Sequence, residues 1–392
     1  MTSSSLVSIK KIRSIHDLQE IKIGLIEGLN LIGGLRKFIK AGEKVVLKPN
    51  LAVGNPIGST NPFLVECLIE EIRKIGAVPI VADGSSKSVD YDTISVAKTI
   101  GLYDIIKKHD VEFVDLDNAK TIKTKVPNGK AFKYLNVPEV ILKADKIINI
   151  PKIKTHHLTG MTCAIKNLQG IVSGYEKLKT HALGLHQPLA DLPKVFKCDL
   201  TIIDGLCGME GIGPFYGEPV PLGLIIASDN ILAADFVACE VMGADYSRIK
   251  HIKLCFEDHN FNPQKVVVVG EPIEKVKKKF KIPSPNKNYM FFHRLATVCD
   301  RYIYKHIAGF FSLSKRSIFP SISKISGVHL KIRKNCAEIK IDPGICPVGA
   351  INKKSNGRYK IDLGKCVDCM KCYKELPKGT VILDGFIKSW KK

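Results

Sequence analysis

Short runs of apolar, β-branched residues recur between residues 41 and 273, and each has the length of a buried strand. Helical patterns separate these runs. One of them opens with Pro62 and closes at Gly76, the residue types that start and stop a helix. Strands that alternate with helices predict an α/β fold, a mostly parallel sheet flanked by helices. The predicted strands span residues 44–50, 77–84, 145–152, 199–205 and 221–228.

Polar residues collect where these predicted strands end. Lys48 and Asn50 close the first strand, and Thr60 precedes the next helix. Parallel strands present their carboxyl ends at one edge of a sheet, where ligands bind, and the amides of a helix start favour anions. We therefore expect Lys48, Asn50, Thr60 and Asn167 to form a ligand site at that edge. For Thr60, helix capping without any ligand is the alternative.

The stretch PKIKTHHLTGMTCAIKNLQG follows the third predicted strand and is rich in lysine and histidine. It reads as a loop, in which we expect Lys154, His156 and Lys166 to be catalytic residues acting on an anionic substrate. Lysines gathered in one cleft, such as Lys48 and Lys154, repel one another unless an anion lies between them. In the alternative, the lysine side chains extend into water at little cost and the loop binds nothing.

The net charge of +22 is concentrated in one segment. Residues 274–335 carry 15 lysines and arginines against 2 acidic residues, with aromatic residues at helical spacing. We interpret this segment as a helical connector between a large domain, residues 1–273, and a cysteine-rich domain, residues 336–392. Contact with nucleic acid or with an anionic membrane surface is the less favoured interpretation, because aromatic residues at this spacing pack on a core.

Five of the twelve cysteines fall within 37 residues. Three of them repeat in steps of three and a fourth precedes a proline, which is the ligand pattern of a four-iron cluster. In the two-cluster form of this pattern the halves exchange ligands, but Leu376 replaces the last cysteine here, so one cluster is expected and Cys336 is a free thiol. A zinc site is the alternative, although steps of three suit a cube better. The predicted ligands of one [4Fe-4S] cluster are Cys346, Cys366, Cys369 and Cys372.

Two resemblances rest on these motifs. The cysteine-rich part resembles the ferredoxin-type four-iron domain through CPVGAI and KCVDCMKC. Residues 8–270 resemble the family named domain of unknown function 362 (DUF362), through LKPN, STNP, ADGSS, DGLCGMEGIGP and the lysine-histidine stretch. That resemblance implies a fold and a fusion to a ferredoxin-type domain, and no agreed reaction. Residues 59–77 are also similar to nickel-pincer lactate racemases, but the DxTRP run of that family is absent.

The sequence is compatible with two functions. In the first, a cluster ligated by four thiolates passes single electrons to or from an anionic substrate in the large domain, as in a ferredoxin-linked oxidoreductase. In the second, the cluster is structural and the protein binds or carries a ligand without chemistry. The expected partners are a redox partner protein or an anionic small molecule. No apolar run approaches the ~18 residues of a bilayer span, and no secretory signal is apparent, so we expect a cytoplasmic protein.

Overall fold

The computed structural model describes residues 4–86, 91–174, 176–283, 329–333 and 341–384, together with Phe291, Leu295 and Val298. Most of the basic segment 274–335 lies outside the described residues, and so does Cys336. The predictions made for them, a helical connector and a free thiol, stay predictions.

A ten-stranded sheet forms the centre of the described large domain. The strands of this domain are β1 (Ser5–Lys11), β2 (Lys44–Lys48), β3 (Val78–Asp83), β4 (Glu112–Asp115), β5 (Thr121–Lys125), β6 (Tyr134–Pro138), β7 (Lys146–Asn149), β8 (Lys152–His156), β9 (Gly160–Thr162), β10 (Leu200–Glu210), β11 (Glu218–Ser228) and β12 (Val266–Gly270). The sheet order is β12-β1-β11-β10-β7-β2-β3-β4, with β8 paired to β10 and β9 to β8, while β5 and β6 form a separate pair. Strands β4, β3, β2, β7 and β10 are parallel, which confirms the predicted fold class.

Helices cover both faces of this sheet. They are α1 (Leu18–Asn30), α2 (Pro62–Ile75), α3 (Thr93–Thr99), α4 (Leu102–Lys108), α5 (Glu139–Leu142), α6 (Ala164–Asn167), α7 (Glu176–Ala182), α8 (His186–Asp191), α9 (Ile231–Val241), α10 (Lys250–Asp258) and α11 (Ile273–Val276). Successive residues of a strand point to opposite faces. Accordingly, Val45 and Leu47 pack in the core that α1 and α2 cover, whereas Val46 packs in the core on the other side.

The helix α2 begins and ends as its sequence predicts. The side chain of Asn61 accepts a hydrogen bond from the amide of Phe63 at 2.9 Å, and Pro62 occupies the first turn. Gly76 closes the helix with a φ of 91°, a left-handed conformation that glycine adopts without strain. These caps fix where the loop after β2 must end, and that loop carries Asn50 and Thr60.

Two elements differ from the sequence prediction. Residues Lys152–His156 form the buried strand β8 instead of an exposed loop, because β8 pairs with both β10 and β9. The predicted strand at 221–228 is the second half of a long hairpin, in which β11 runs antiparallel to β10 and to β1. The sheet is therefore parallel on one side of β10 and mixed on the other.

A small module of two short antiparallel sheets and one helix follows. Its described elements are β13 (His329–Ile332), β14 (Ile351–Lys353), β15 (Tyr359–Ile361), α12 (Lys371–Glu375) and β16 (Val381–Asp384), with β13 paired to β16 and β14 to β15. Its core contains Leu330, Ile361 and Val381, and Tyr216 of the large domain is buried among them. The module thus packs directly on the large domain.

Single 3₁₀ turns connect several of these elements. They lie at Leu35–Lys37, Pro56–Gly58, Leu168–Ile171, Leu192–Lys194, Tyr246–Arg248, Pro263–Lys265 and Pro343–Ile345. A search of the described residues for a helix that is long and apolar enough to cross a bilayer found none.

Candidate functional site

The carboxyl ends of β3, β2, β7 and β10 lie side by side at one edge of the sheet, because these strands are parallel neighbours. The final residues are polar: Lys48 ends β2, Asp83 ends β3 and Asn149 ends β7. Lys48 and Asn149 are direct partners in the strand register. Residues that are distant in the sequence therefore meet at this edge, as parallel topology requires.

Lys48 is fully buried and forms an ion pair with Asp83, with 2.6 Å between Nζ and Oδ1. The amine also donates to the carbonyl oxygen of Pro49 at 2.8 Å and to Oδ1 of Asn167 at 3.3 Å. Burial lowers the pKa of Lys48, and the charge of Asp83 opposes that shift. The second oxygen of Asp83 accepts from the amide of Leu51 at 2.7 Å. The ion pair thus joins the ends of β2 and β3.

Asparagine side chains connect the neighbouring loops. Asn50 donates from Nδ2 to Oδ1 of Asn167 at 2.8 Å, and Asn167 donates from Nδ2 to Oδ1 of Asn149 at 2.8 Å. The hydroxyl of Thr60 accepts from the amide of Asn50 at 2.7 Å and donates to the carbonyl of Ile150 at 2.7 Å. The network fixes the predicted ligand residues relative to one another, and their polar atoms bond to protein groups.

Lys152 and Lys154 lie on the same face of β8 but have different partners. Lys152 pairs with Asp204, with 2.8 Å between Nζ and Oδ2. Lys154 donates to Oδ1 of Asn50 at 2.8 Å and to the carbonyl oxygen of Gly58. No carboxylate of the described chain pairs with it. Burial lowers the pKa of Lys154 well below its usual value, and neighbouring lysines lower it further. The site therefore favours the uncharged amine of Lys154.

His156 and His157 stack face to face, with ring centroids 4.8 Å apart. Nδ1 of His156 accepts from the amide of Leu158 at 3.1 Å, so Nε2 carries the proton of the neutral ring. Nδ1 of His157 donates to the carbonyl of Gly213 at 2.9 Å. Burial lowers the pKa of His157 to about 4 and lowers that of His156 well below its usual value, with Lys166 adding to the shift in both. Both rings are neutral at pH 7.

Lys166 lies on α6, directly before Asn167. Its amine donates to Oε1 of Gln169 at 3.0 Å, and burial lowers its pKa to about 8. Gln169 is itself held by a hydrogen bond from its Nε2 to the hydroxyl of Thr180. Lys166 is thus held beside His156, although its side chain is only partly buried.

The structure corrects the expected role of the anion. Among the described lysines of this edge, Lys48 and Lys152 are neutralised by Asp83 and Asp204, so no bound anion is needed to hold those two together. Both aspartates end predicted strands, in ADGSS and IIDGL, and that position is the signal that could have identified them. The lysines also do not extend into water, because β8 is buried along its whole length.

Thr60 does not cap α2, the alternative considered for it. Asn61 is the N-cap of this helix, and it also donates its amide to Oδ2 of Asp204 at 2.7 Å. The hydroxyl of Thr60 instead joins the loops after β2 and β7. The prediction that Thr60 contacts a ligand stays a prediction.

A second group of potential metal ligands lies away from this edge. Glu66, Glu70 and His109 place ligand atoms within 4.8 Å of one another. Lys108 bonds to Glu66 at 2.8 Å, and Lys22 pairs with Glu70. Because these lysines already neutralise both carboxylates, the group serves as an ion-pair cluster.

The small module packs on the loops of the same edge. The amide of Gly54 donates to the carbonyl oxygen of Val367 at 2.9 Å, and the hydroxyl of Tyr91 bonds to the carboxylate of Asp368. Val367 is buried in the core that α1 and α2 cover. Gly54 belongs to the loop that carries Asn50 and Thr60, so the module contacts the backbone that shapes the lysine-rich site.

Aromatic rings extend from the histidine pair to this contact. The ring of Phe215 lies 6.1 Å from that of His157, 6.3 Å from that of Tyr91 and 5.9 Å from that of Tyr216. Tyr91 in turn bonds to Asp368, which stands between two of the predicted cysteine ligands. A continuous series of side chains therefore joins His157 to the cysteine loop.

The four predicted ligand cysteines lie in or against the buried cores that meet at this contact. Cys366 and Cys372 are buried in the core of the module, and Cys346 packs against it. Burial raises the pKa of Cys369 and Cys372, and the sulfur of Cys346 adds to the rise in both, which places the three sulfurs near one another. None of the cysteines of the described residues is in a disulfide.

Comparison with known proteins identifies the large domain. The family model described as "Domain of unknown function (DUF362)" matches residues 45–240, which contain every predicted site residue outside the cysteine-rich part. The chain belongs to the DUF362 family. A curated relative, the thylakoid-associated protein sll1697 of Synechocystis, is 31% identical over 234 residues, which cover 56% of this chain and 70% of the relative. The predicted resemblance to DUF362 is thus confirmed.

Solved structures give weaker likenesses. The lactate racemase apoprotein of Thermoanaerobacterium thermosaccharolyticum matches with a TM-score of 0.42 and 15% identity, over 64% of this chain and 58% of that one. A structural-genomics protein of Thermotoga maritima matches with a TM-score of 0.39 and 14% identity, over 57% of this chain and 58% of that one. This chain spans under two thirds of each.

Replacing Gly54 by alanine should weaken the contact between the DUF362 domain and the module. The added Cβ would lie 2.6 Å from a methyl carbon and 2.7 Å from the carbonyl oxygen of Val367, so one element must move. We expect a loss of about 1–3 kcal/mol in unfolding free energy, the usual cost of overpacking, and faster amide exchange around Val367. Gly364→Ala is the control, since its Cβ would meet only the movable side chain of Asp362 at 3.2 Å. Equal effects of the two substitutions would contradict this interpretation.

Proposed function

We propose that this protein is an iron–sulfur redox protein, in which one [4Fe-4S] cluster serves a ligand site at the carboxyl edge of the DUF362 domain. The observation that carries the proposal is the contact between Val367, inside the cysteine loop, and Gly54, in the loop that also holds Asn50 and Thr60. A cluster with four thiolate ligands passes single electrons. The proposed cluster ligands are Cys346, Cys366, Cys369 and Cys372.

The donor groups around these cysteines suit such a cluster. The amide of Ala350 donates to the sulfur of Cys346 at 3.2 Å. Amides of the following residues, at Lys371 and Tyr373, oppose the rise in the pKa of Cys369 and of Cys372 respectively. Amide hydrogen bonds to sulfur are among the features that set the potential of iron–sulfur clusters. The residues present therefore fit the group.

The loop that carries three of these cysteines also has the conformation that wrapping a cluster requires. Asp368 and Met370 have positive φ angles of 50° and 64°. Such angles are uncommon for residues other than glycine and turn the backbone sharply. Two of them turn the backbone sharply between Cys366 and Cys372, which supports a loop that wraps a cluster.

Proton transfer is the role we assign to residues of the DUF362 domain. Burial and neighbouring lysines lower the pKa of Lys154. Its amine donates hydrogen bonds to two acceptors, neither of which is a carboxylate. His156 presents Nε2–H, and Lys166, with a pKa of about 8, can change protonation near neutral pH. In this proposal Lys154, His156 and Lys166 bind an anionic substrate and supply or accept its proton. Lys48, Asn50, Thr60 and Asn167 shape the floor of the site.

A second candidate is a non-enzymatic binding or carrier protein with a structural cluster. It is favoured by the burial of Val367 in the large-domain core, which makes the cysteine loop part of the packing. It is also favoured by the hydrogen bonds of Lys48, Asn50 and Asn167, which are made to protein groups.

The partner that we propose is an acidic redox protein or an anionic small molecule. The small module has a basic cavity of about 310 Å³, whose lining includes Arg333, Lys354 and Arg358. No carboxylate of the described residues pairs with these three side chains. Their positive charges are therefore available to attract an acidic partner. We also propose a cytoplasmic location, where thiols stay reduced. Because a relative is named thylakoid-associated, we also propose an anionic membrane surface as a partner for segment 274–335.

A potentiometric titration of the protein, purified without air, separates the two candidates. A redox role predicts that the visible absorption of the cluster bleaches reversibly, with one electron per chain, between about −700 and +450 mV, the span of protein iron–sulfur potentials. A cluster that stays unreduced over that span would support the structural role. Protein with Cys372 replaced by serine is the control for absorption that does not come from the cluster.

A further inference from the structure

Lys166, like Lys154, lacks the carboxylate partner that other lysines near this edge have. Lys48, Lys152 and Lys177 each pair with an aspartate at 2.8 Å or less. Lys166 bonds to the neutral amide of Gln169, and within the described part of the chain no carboxylate lies within 4.0 Å of its amine. The side chain of Lys166 is partly exposed, so an anion that enters from solvent would supply the missing counter-charge.

Two histidines near Lys166 have buried ring nitrogens without partners. His251 is fully buried, and neither Nδ1 nor Nε2 has a hydrogen-bond partner. The ring of His186 lies 6.3 Å from that of His251 and nearly parallel to it, and its Nδ1 is also buried without a partner. An unsatisfied buried polar group costs about 1–3 kcal/mol. Groups of this kind call for a ligand or a bound water.

The lysine and these histidines lie on helices that pack together, Lys166 on α6, His186 on α8 and His251 on α10. The charge of Lys166 contributes to lowering the pKa of His156, His186 and His251, after burial as the largest cause in each. His251 and His156 are buried, whereas Lys166, His181 and His186 are partly exposed. Because α8 packs against both α6 and α10, Lys166, His186 and His251 form one polar group that extends from the surface into the core.

Charge and hydrogen-bonding capacity define the ligand. Lysines lower the pKa of both His186 and His251, and His186 also lowers that of His251; no carboxylate is among these groups, so a metal cation would be repelled. A neutral imidazole offers one donor and one acceptor. An oxyanion that also carries a hydroxyl satisfies the lysine, the ring N–H groups and the bare ring nitrogens together.

We propose that the polar group of Lys166, His186 and His251 binds a small hydroxyl-bearing oxyanion, a hydroxycarboxylate or a hydrogen phosphate. This inference rests on the proposed function, because it names the substrate class of the same site, and it adds two histidines that the sequence analysis did not select. We assign His156, whose Nε2 carries the ring proton, to exchange a proton with the bound oxyanion.

The pH dependence of binding follows from Lys166. Its pKa of about 8 means that the amine is a cation at pH 7. A bound anion raises that pKa, so affinity is level below pH 8 and falls up to tenfold per pH unit as the pH rises above it. The titratable groups on which the charge of Lys166 acts are Lys154, His156, His157, His186 and His251, and His181 acts on His156.

The test is calorimetric titration of the full-length, cluster-loaded protein with lactate and, in a separate arm, with inorganic phosphate. We expect one binding site, an affinity that falls above pH 8, and at least a tenfold loss of affinity in Lys166→Met. The arm with the higher affinity identifies the class. Lys250→Met is the matched control, because Lys250 is exposed and acts on the same His186, and it should change the affinity less than twofold.

A second variant separates binding from folding. His251→Phe keeps the volume of the ring and removes both unpaired nitrogens, so it should leave the thermal midpoint level or higher and weaken binding. Absence of binding of both probes, or equal affinity in wild type and Lys166→Met, would overturn the inference. Binding as expected in a protein whose cluster cannot be reduced would uphold the oxyanion site and refute the redox function.

Discussion

Asp83→Asn is expected to lower the free energy of unfolding by about 3–5 kcal/mol, the cost of removing one partner of a buried ion pair. Lys48 is fully buried and its amine lies 2.6 Å from Oδ1 of Asp83. Asparagine keeps the shape of the side chain but not its charge, so Lys48 must stay charged without compensation or lose its proton. Chemical denaturation of both proteins measures the difference.

Glu139→Gln is the matched control for that substitution. Glu139 pairs with Lys143 at 2.8 Å, but the lysine side chain is 70% exposed. Pairs of this kind contribute about 0–1 kcal/mol. If Asp83→Asn costs no more than Glu139→Gln, then Asp83 does not compensate Lys48 and our account of the site is wrong.

Replacing Cys372 by serine is expected to remove most of the bound iron, because a four-iron cluster needs all four of its ligands. Cys346→Ala should have the same effect, although Cys346 stands 26 positions earlier in the chain. Iron and acid-labile sulfide are measured in protein purified without air.

Two other cysteines serve as controls for that loss. Cys207 lies in β10 as a partly buried free thiol, and Cys336 is the residue that the ligand spacing assigns to no cluster. Cys207→Ser and Cys336→Ala should both keep the iron content of the wild type. Loss of iron in Cys336→Ala together with retention in Cys346→Ala would show that the ligand register is wrong.

Local signals in the sequence predict those parts of the structure that depend on neighbouring residues. Pro62 and Gly76 bound α2 as predicted, because helix starts and stops are set by the backbone conformations of single residues. The edge that carries Lys48 and Asn50 also followed, because a parallel sheet places its strand ends together. These are the parts of the fold that patterns alone determine.

These local signals do not predict pairing between residues that are distant in the sequence. The burial of Lys154 depends on strand pairing of β8 with β10, and lysine and histidine in a strand give no apolar alternation to reveal it. The closeness of His186 and His251 depends on the packing of α8 against α10, elements more than fifty residues apart. A single histidine in a helix carries no local indication of such a partner.

The central claim is that one four-iron cluster is bound to a DUF362 domain at its ligand edge. The most direct test is the content of iron and acid-labile sulfide in the full-length protein, purified without air, together with its zinc content. Our account predicts about four irons and four sulfides per chain, with no zinc. About eight irons, or one zinc per chain without sulfide, would contradict it.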